Sequence, residues 1–242
     1  MLSILLWSVA LFVAATTALP LTNSVQWWIR MWDFPRQHIA VLAGVIAVTA
    51  LFGSVTGKPF LIALMLICAT YQAVRIYPYT PLARKEVHLV DAAPGTQPVS
   101  ILAANVLMEN TRYADLVALI EREDPDVLFL METDKLWHDA LRDVLARYPT
   151  IRTRLCNDHY GLIFATRLEI QDFQLCYPAN DDTAAVKAVL EDGLGTTFNF
   201  VGLHPRPPVP GNTTEERDRQ IKAAAQMTAA SERPTVCIGD FN

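Results

Sequence analysis

Polar side chains with catalytic potential follow four segments that are predicted to be β-strands. They are Asn105, Glu132, His204 and the pair Asp240 and Asn242. Residues two apart in an extended segment point to the same side, so Asp240 and Asn242 are expected to leave their strand together. The carboxyl ends of strands in an open α/β sheet line the crevice that holds the ligand. The pattern therefore predicts one site built from the ends of several strands.

These residue types suit the hydrolysis of a phosphate ester. A hard divalent cation prefers carboxylate and amide oxygens, so Glu132 is expected to anchor Mg²⁺, which polarises a phosphoryl oxygen. Asp240 and Asn242 would orient or deprotonate the attacking water, and His204 would donate a hydrogen bond to a non-bridging oxygen. Each residue alone also has a structural interpretation, such as a helix cap, a buried core histidine or an Asx turn. Four coincidences at successive strand ends favour the catalytic interpretation.

The elements that position these residues begin at Val99. Apolar runs that alternate with amphipathic stretches predict alternating strands and helices, which indicates an α/β fold. The expected strands cover residues 99–105, 126–132, 160–165, 168–177, 184–190, 197–203 and 234–239, the last of them buried and central. Helices are expected after a cap at Thr111, over 136–148 and over 214–230.

The front of the chain is too apolar for an ordinary soluble enzyme. Of all 242 residues, 52% are hydrophobic, and the mean hydropathy is +0.22. Three uncharged runs, at 2–21, 39–55 and 60–74, predict three transmembrane helices, because about 20 apolar residues span a bilayer core. A cleaved signal peptide at the first run and core helices of a soluble protein are the alternatives. Three Trp residues between positions 27 and 32 are typical of a segment at the lipid headgroups.

The chain is thus expected to divide into a membrane anchor over 1–76, a proline-rich linker over 77–98 and a catalytic domain over 99–242. Residues 97–242 contain 14 basic and 22 acidic residues, a net charge of −8. Nucleic acid is therefore a less favoured partner than a phosphorylated small molecule or lipid. The four cysteines form no zinc-binding pattern, although Cys156 and Cys176 flank a predicted hairpin and could pair in an oxidising compartment.

Several of these residues together resemble the endonuclease/exonuclease/phosphatase superfamily. The resemblance rests on Asn105, Met131-Glu132-Thr133, the stretch from Tyr160 to Arg167, His204 and Gly239-Asp240-Phe241-Asn242, in that order. It implies a four-layer α/β sandwich with two packed mixed sheets and phosphoester hydrolysis that depends on Mg²⁺ or Mn²⁺. By this resemblance Glu132 would ligate the metal beside Asn105, His204 would hold the phosphate, and Asp240 and Asn242 would align the nucleophile. His159, Tyr160 and Arg206 are weaker candidates for substrate contacts.

The superfamily also carries a further Asp and a catalytic His, which would lie beyond Asn242. The sequence is therefore expected to be a C-terminally truncated, inactive form with an incomplete sandwich. The apolar front half and the loop from His204 to Pro210 resemble the membrane-tethered bacterial branch, some of whose members act on phosphorylated lipid carriers outside the cytoplasm. A nuclease of the same fold and a non-catalytic membrane-tethered binding module are the alternatives.

The resemblance thus predicts a multi-pass protein of the inner (plasma) membrane with an extracytoplasmic catalytic domain. The lipid bilayer and a phosphorylated substrate are its expected partners. The basic residues that flank the apolar runs instead favour a cytoplasmic domain, because positive loops tend to stay inside.

Overall fold

A computed structural model describes residues 1–85, 87, 98–179, 182–207, 209–211 and 213–241. The chain forms two compact units. The first contains the described residues of 1–90 and 208–214, and the second contains those of 91–207 and 215–242. Much of the expected linker over 77–98 lies outside the described residues, so the proposed domain boundaries remain a prediction.

The first unit is built from apolar helices. It contains α1 (Leu2–Ala18), the short helix α2 (Trp27–Arg30), α3 (Arg36–Phe52) and α4 (Lys58–Ile76), with single 3₁₀ turns at Leu19–Thr22, Met31–Asp33 and Tyr77–Tyr79. The three long helices pack together around a shared core in which Ala10, Ala43 and Ala50 are fully buried. Small side chains at these positions let the helix backbones approach closely.

Two of these helices are long and apolar enough to cross a membrane by themselves. They are the segments Leu2–Thr22 and Lys58–Tyr79. A third span is counted only if Trp27–Asp33 and Arg36–Phe52 form one segment, and the two halves of that segment meet at 72°. Pro35 lies at the bend, where its missing N–H cannot continue a helix. The expectation of apolar helices able to span a bilayer is confirmed for two helices, or three if the bent pair is one span.

The second unit contains two four-stranded mixed sheets. In the first sheet the strands, in spatial order, are β1 (Ile101–Asn105), β2 (Val127–Met131), β4 (Leu162–Thr166) and β3 (Thr150–Arg154), and only β1 and β2 are parallel. The second sheet runs β5 (Glu169–Cys176), β6 (Ala185–Glu191), β7 (Thr197–Leu203) and β8 (Thr235–Gly239), and only β7 and β8 are parallel. Each sheet therefore contributes one parallel pair.

Helices cover the outer faces of both sheets. The helices α5 (Tyr113–Glu123), α6 (Lys135–Ala140) and α7 (Arg142–Leu145) share a core with the first sheet. The helix α8 (Glu215–Ala229) packs on the second sheet through Ala224, which contacts the core around Val201 and Leu203. The order helix, sheet, sheet, helix confirms the predicted four-layer α/β sandwich with two mixed sheets.

An aromatic cluster fills the space between the two sheets. Phe129 and Phe164 come from the first sheet and Phe200 from the second, and all three are fully buried. The ring centroid of Phe200 lies 5.8 Å from that of Phe129 and 5.2 Å from that of Phe164. Gly202 faces the same cluster, and a Cβ atom at this position would lie 2.8 Å from the Phe129 ring. A glycine is required here because the two sheets approach too closely for a side chain.

Three local expectations are wrong. The helix expected over 136–148 is broken at Leu141, which leaves the helical region with ψ 3 and separates α6 from α7. Strand β3 was not expected, because its sequence is polar and carries Arg152 and Arg154 along the edge of the sheet. Thr111 does not cap α5, which begins after Arg112 with no side-chain cap.

The closing strand β8 also differs from its prediction as a buried, central strand. Among the described residues it pairs with β7 alone, and both Val236 and Cys237 are exposed. An apolar β-branched sequence predicts the strand correctly, but it does not determine whether a second strand pairs with its other edge. Cys156 and Cys176 are free thiols and form no disulfide bond with each other.

The close approach of the sheets predicts that Gly202→Ala destabilises the second unit. The added methyl group must push into a rigid, fully buried ring, and such overpacking costs about 1–3 kcal/mol. The melting temperature of the purified protein should therefore fall. Gly44→Ala is the matched control, because a Cβ at Gly44 of α3 meets no atom within 4 Å. A Gly202→Ala protein as stable as the wild type would show that the sheets are not tightly packed.

Candidate active site

The two parallel strand pairs bring four polar residues together. In the first sheet Asn105 is paired with Met131, and Glu132 follows directly after Met131. In the second sheet Leu203 is paired with Gly239, so His204 and Asp240 follow at the same end. A hydrogen bond from Asn105 Nδ2 to Asp240 Oδ2 of 3.1 Å joins the two sheet edges. The four strand ends predicted from sequence therefore do meet.

The Asn105 amide is shared between two carboxylates. Its Nδ2 atom donates to Glu132 Oε1 at 2.7 Å as well as to Asp240, and its Oδ1 atom accepts a hydrogen bond from the Leu107 backbone N–H at 3.0 Å. The backbone bond fixes which way the amide points, because only the nitrogen end can then face the carboxylates. Asn105 thus holds Glu132 and Asp240 beside each other.

Glu132 is the centre of the cluster. Its side chain is only 13% exposed, and its Oε2 atom accepts a hydrogen bond from the Met108 backbone N–H at 3.4 Å. His204 Nε2 lies 3.7 Å from Oε1, and His159 Nδ1 lies 3.2 Å from Oε2. The backbone of Glu132 has a φ of 61°, a left-handed conformation that is uncommon for a residue with a side chain. Such strain is concentrated at functional sites.

His204 is buried at the end of β7. Its side chain is 7% exposed, and its Nδ1 atom has no hydrogen-bond partner among the described residues. Burial lowers the pKa of His204, and the charges of Glu132 and Asp240 oppose that effect. The histidine is therefore neutral at physiological pH and has one N–H to donate.

Glu109 is a member of the site that the sequence did not reveal. It lies in the loop after β1, and its Oε1 atom is 3.2 Å from His159 Nε2. His159 thereby bridges Glu109 and Glu132, so the structure places it with the carboxylates. Its φ of 65° is also left-handed. The only signal in the sequence was an acidic residue four positions after Asn105, which periodicity cannot distinguish from an ordinary loop residue.

Tyr160 and Arg206 lie close to His204. The Tyr160 ring centroid is 5.5 Å from that of His204, and the Arg206 guanidinium sits 4.6 Å above the Tyr160 ring. Arg206 also forms ion pairs with Asp182 and Glu216. These pairs hold the guanidinium in place beside the site. Asn242 lies outside the described residues, so its predicted role is not tested, and the roles of the other predicted site residues stay predictions.

Two glycines next to the cluster allow close backbone contacts. A Cβ on Gly239 would lie 1.9 Å from the Leu203 carbonyl oxygen, and a Cβ on Gly161 would lie 1.8 Å from that of Thr133. Both glycines are adjacent in sequence to site residues, Asp240 and Tyr160. Because neither glycine has a side chain, the backbone can pass close to Leu203 at Gly239 and close to Thr133 at Gly161.

The donor set at Glu132 fits a divalent cation. A carboxylate oxygen each from Glu109 and Glu132 and a ring nitrogen of His159 all lie within 4.8 Å of one another. No Lys or Arg of the described residues forms an ion pair with Glu132, whose nearest ring nitrogens belong to His159 and His204. Carboxylate oxygens suit Mg²⁺, and a mixed oxygen and nitrogen set also suits Mn²⁺. The residues present therefore agree with the expected metal.

The sequence profile of the Endonuclease/Exonuclease/phosphatase family matches residues 102–242, which is more than half of the chain. The chain belongs to this family. Family members are hydrolases that act on phosphate esters. A search of curated proteins found no match.

Two solved structures share the fold of the second unit. Crystal structures of D. rerio TDP2, one humanized by 14 mutations and one complexed with a single-strand DNA product, are 19% and 21% identical, each with a TM-score of 0.51. Each match covers 60% of this chain, and 62% and 60% of the respective structures. The human Nocturnin catalytic domain with bound sulfate is 18% identical over 63% of this chain and 67% of its own, with a TM-score of 0.47. The chain thus spans less than two thirds of the TDP2 structures.

The carboxylate cluster predicts that Mn²⁺ or Mg²⁺ raises the melting temperature of the protein. A ligand that binds only the folded state stabilises it, by about 2.7 kcal/mol at about 100 times its Kd. Glu132→Gln keeps the size of the side chain and removes its charge, so most of the thermal shift should disappear. Glu123→Gln, at the exposed end of α5, is the control and should keep the full shift. Equal shifts in both variants would show that Glu132 does not bind the metal.

Proposed function

We propose that the protein is a membrane-anchored phosphoesterase that depends on a divalent metal. The observation that carries this proposal is the convergence of Asn105, Glu132, His204 and Asp240 at the carboxyl ends of two parallel strand pairs. An amide, two carboxylates and a neutral imidazole at one point supply the groups that phosphoester hydrolysis needs. Membership of the family supports the same reaction class.

The chain's own residues have distinct proposed roles. Asp240 accepts the proton of the attacking water, whose oxygen bonds to phosphorus as the ester P–O bond breaks. His204 donates its N–H to a non-bridging oxygen on which negative charge develops. Asn105 donates hydrogen bonds to both carboxylates and orients them beside each other. Glu132, Glu109 and His159 would hold a divalent cation, which would supply Lewis-acid polarisation of a phosphoryl oxygen.

Two features support a lipid-linked phosphate as the substrate. The first unit contains helices that are long and apolar enough to lie in a bilayer, which is where a lipid substrate is found. Residues 97–242 carry a net charge of −8, which repels an extended polyanion. Nuclease activity is the second candidate, because D. rerio TDP2, which has the same fold, was crystallised with a single-strand DNA product.

Substrate class is tested with the full-length protein, purified in detergent. We expect Mg²⁺-dependent phosphate release from a polyprenyl diphosphate and no nicking of plasmid DNA. Glu132→Ala should reduce phosphate release by at least about 100-fold, and His204→Gln should reduce kcat by about 100- to 1,000-fold, since each removes a group that stabilises transition-state charge. Glu123→Gln should leave the rate unchanged.

Three other outcomes of this experiment would lead to different conclusions about the function. Plasmid nicking without phosphate release would establish the nuclease and refute the argument from acidity. Neither activity, with intact folding, would favour a non-catalytic binding module. Loss of activity in Glu123→Gln as well would point to a general effect on folding.

The catalytic unit is proposed to lie outside the cytoplasm of a bacterial cell. Labelling of Cys237 can show on which side of the membrane the unit lies, because this cysteine is exposed and is not among the proposed catalytic residues. Burial of its sulfur raises its pKa, so labelling is best carried out at alkaline pH. A membrane-impermeant maleimide should label wild-type protein in intact spheroplasts, and the Cys237→Ser variant should lose that labelling. Labelling of Cys237 only after lysis would place the unit in the cytoplasm.

A further inference from the structure

A cavity of about 800 Å³ lies at one end of the helices of the first unit. Its walls come from the chain after α1, from the segment around α2, from the start of α3 and from the end of α4. Three arginines line it, Arg30, Arg36 and Arg75, together with His38 and one carboxylate, Asp33. The volume is that of an ordinary small-molecule site. Its charge distinguishes it from the otherwise apolar bundle.

A buried relay of hydrogen bonds positions Arg36. The guanidinium donates from Nη1 to Gln72 Oε1 at 3.2 Å, and Gln72 Nε2 donates to Thr17 Oγ1 at 3.2 Å. Gln72 is 1% exposed and Thr17 is 6% exposed, so an amide and a hydroxyl are buried among apolar helices. Burying such groups is costly unless they are paired with each other. The relay links α1, α3 and α4, and it fixes the Arg36 side chain at the cavity wall.

The positive charges of the cavity exceed the negative ones. Asp33 forms ion pairs with both Arg36 and Arg30. Arg75 forms no ion pair with any described residue, and the buried Arg30 Nε atom has no hydrogen-bond partner in the described part of the chain. Three guanidinium groups and one carboxylate leave a net charge of +2. Arginine binds phosphate through paired N–H donors, so this balance fits a phosphate-bearing anion.

The remaining lining indicates that the anion carries an apolar portion. Leu21, Phe34 and Ile76 lie beside the arginines in the cavity wall. Tyr71 and Tyr79 line the same cavity, and amphipathic aromatic rings are typical of the level where lipid headgroups meet acyl chains. A free inorganic anion would gain nothing from this apolar wall. A phospholipid would place its phosphate at the arginines and its glycerol and acyl groups on the apolar residues.

We propose that this cavity is a specific binding site for an anionic membrane phospholipid, with Arg36 and Arg75 as its main phosphate contacts. The cavity lies in the first unit, whereas the carboxylate cluster lies in the second. Lipid binding here rests on the proposed membrane location of the first unit.

The test is lipid binding to the full-length protein in zwitterionic detergent, measured by native mass spectrometry. The probes are dioleoyl phosphatidylglycerol and dioleoyl phosphatidylcholine, which share acyl chains and differ in net charge. We expect the anionic lipid to remain bound at least about tenfold more tightly than the zwitterionic one. Arg36→Gln and Arg75→Gln should each remove most of that preference, and Arg75→Lys should restore part of it. No turnover is measured, so a failure here is distinct from a failure of the phosphoesterase proposal.

Arg84→Gln is the matched control, because it removes the same charge from an exposed residue that does not line the cavity. It should keep the full lipid preference. Arg75 is exposed and unpaired among the described residues, so Arg75→Gln remains informative even if Arg36→Gln fails to fold.

Equal binding of the two lipids would overturn the proposal. Full displacement of the anionic lipid by inorganic phosphate at similar concentration would also overturn it, in favour of a free-anion site. An unchanged preference in a well-folded Arg75→Gln protein would exclude this cavity as the source of the selectivity.

Discussion

Aromatic packing between the two sheets of the second unit aligns the strand ends that carry Asn105, Glu132, His204 and Asp240. Phe129, Phe164 and Phe200 are excluded from water, and burying a side chain of this size contributes about 1.5–3 kcal/mol. Sheets packed face to face lie about 10 Å apart, a gap that polar side chains at their edges can bridge. The contact between Asn105 and Asp240 is such a bridge. The hydrophobic core thus aligns the strand ends, and the site forms where they meet.

The site also depends on backbone conformations that few residues adopt. Glu132 and His159 both have left-handed backbones, each of which costs of the order of 1–3 kcal/mol. Between the segments that carry them, the Thr133 N–H donates to the Gly161 carbonyl at 3.2 Å, and Thr133 is fully buried. The rigid surroundings therefore compensate for the local strain. These backbone conformations let the carboxylate of Glu132 and the imidazole of His159 face each other.

The strand ends were predictable from sequence, because a buried strand reads as an apolar run and the polar residue after it marks its end. Asn105, Glu132, His204 and Asp240 were all found in this way, and the structure brings them together. The four-layer arrangement followed from the resemblance carried by those same residues. Glu109 was not found, because loop residues follow no periodicity. The ion pairs of Arg206 with Asp182 and Glu216 depend on tertiary contacts that spacing does not encode.

The prediction of the fold was wrong where the composition of a strand does not match its burial. Strand β3 is polar because it lies at a sheet edge, and it was therefore missed. Strand β8 is apolar yet partly exposed, because its burial depends on neighbours and not on its own sequence. In the first unit, apolarity located the helices correctly. The charged cavity at their ends could not be anticipated, since it arises from side chains of four separate segments.

The bond between Asn105 and Asp240 spans 135 residues of sequence. A ribosome that adds about 5–20 residues per second needs on the order of ten seconds to make that stretch. For most of this interval the carboxylate of Glu132 already exists, but β8 and Asp240, which complete its surroundings, do not. A nascent chain therefore lacks the contact between the two sheet edges until Asp240 has been synthesised. The four strand ends can meet only when β8 pairs with β7.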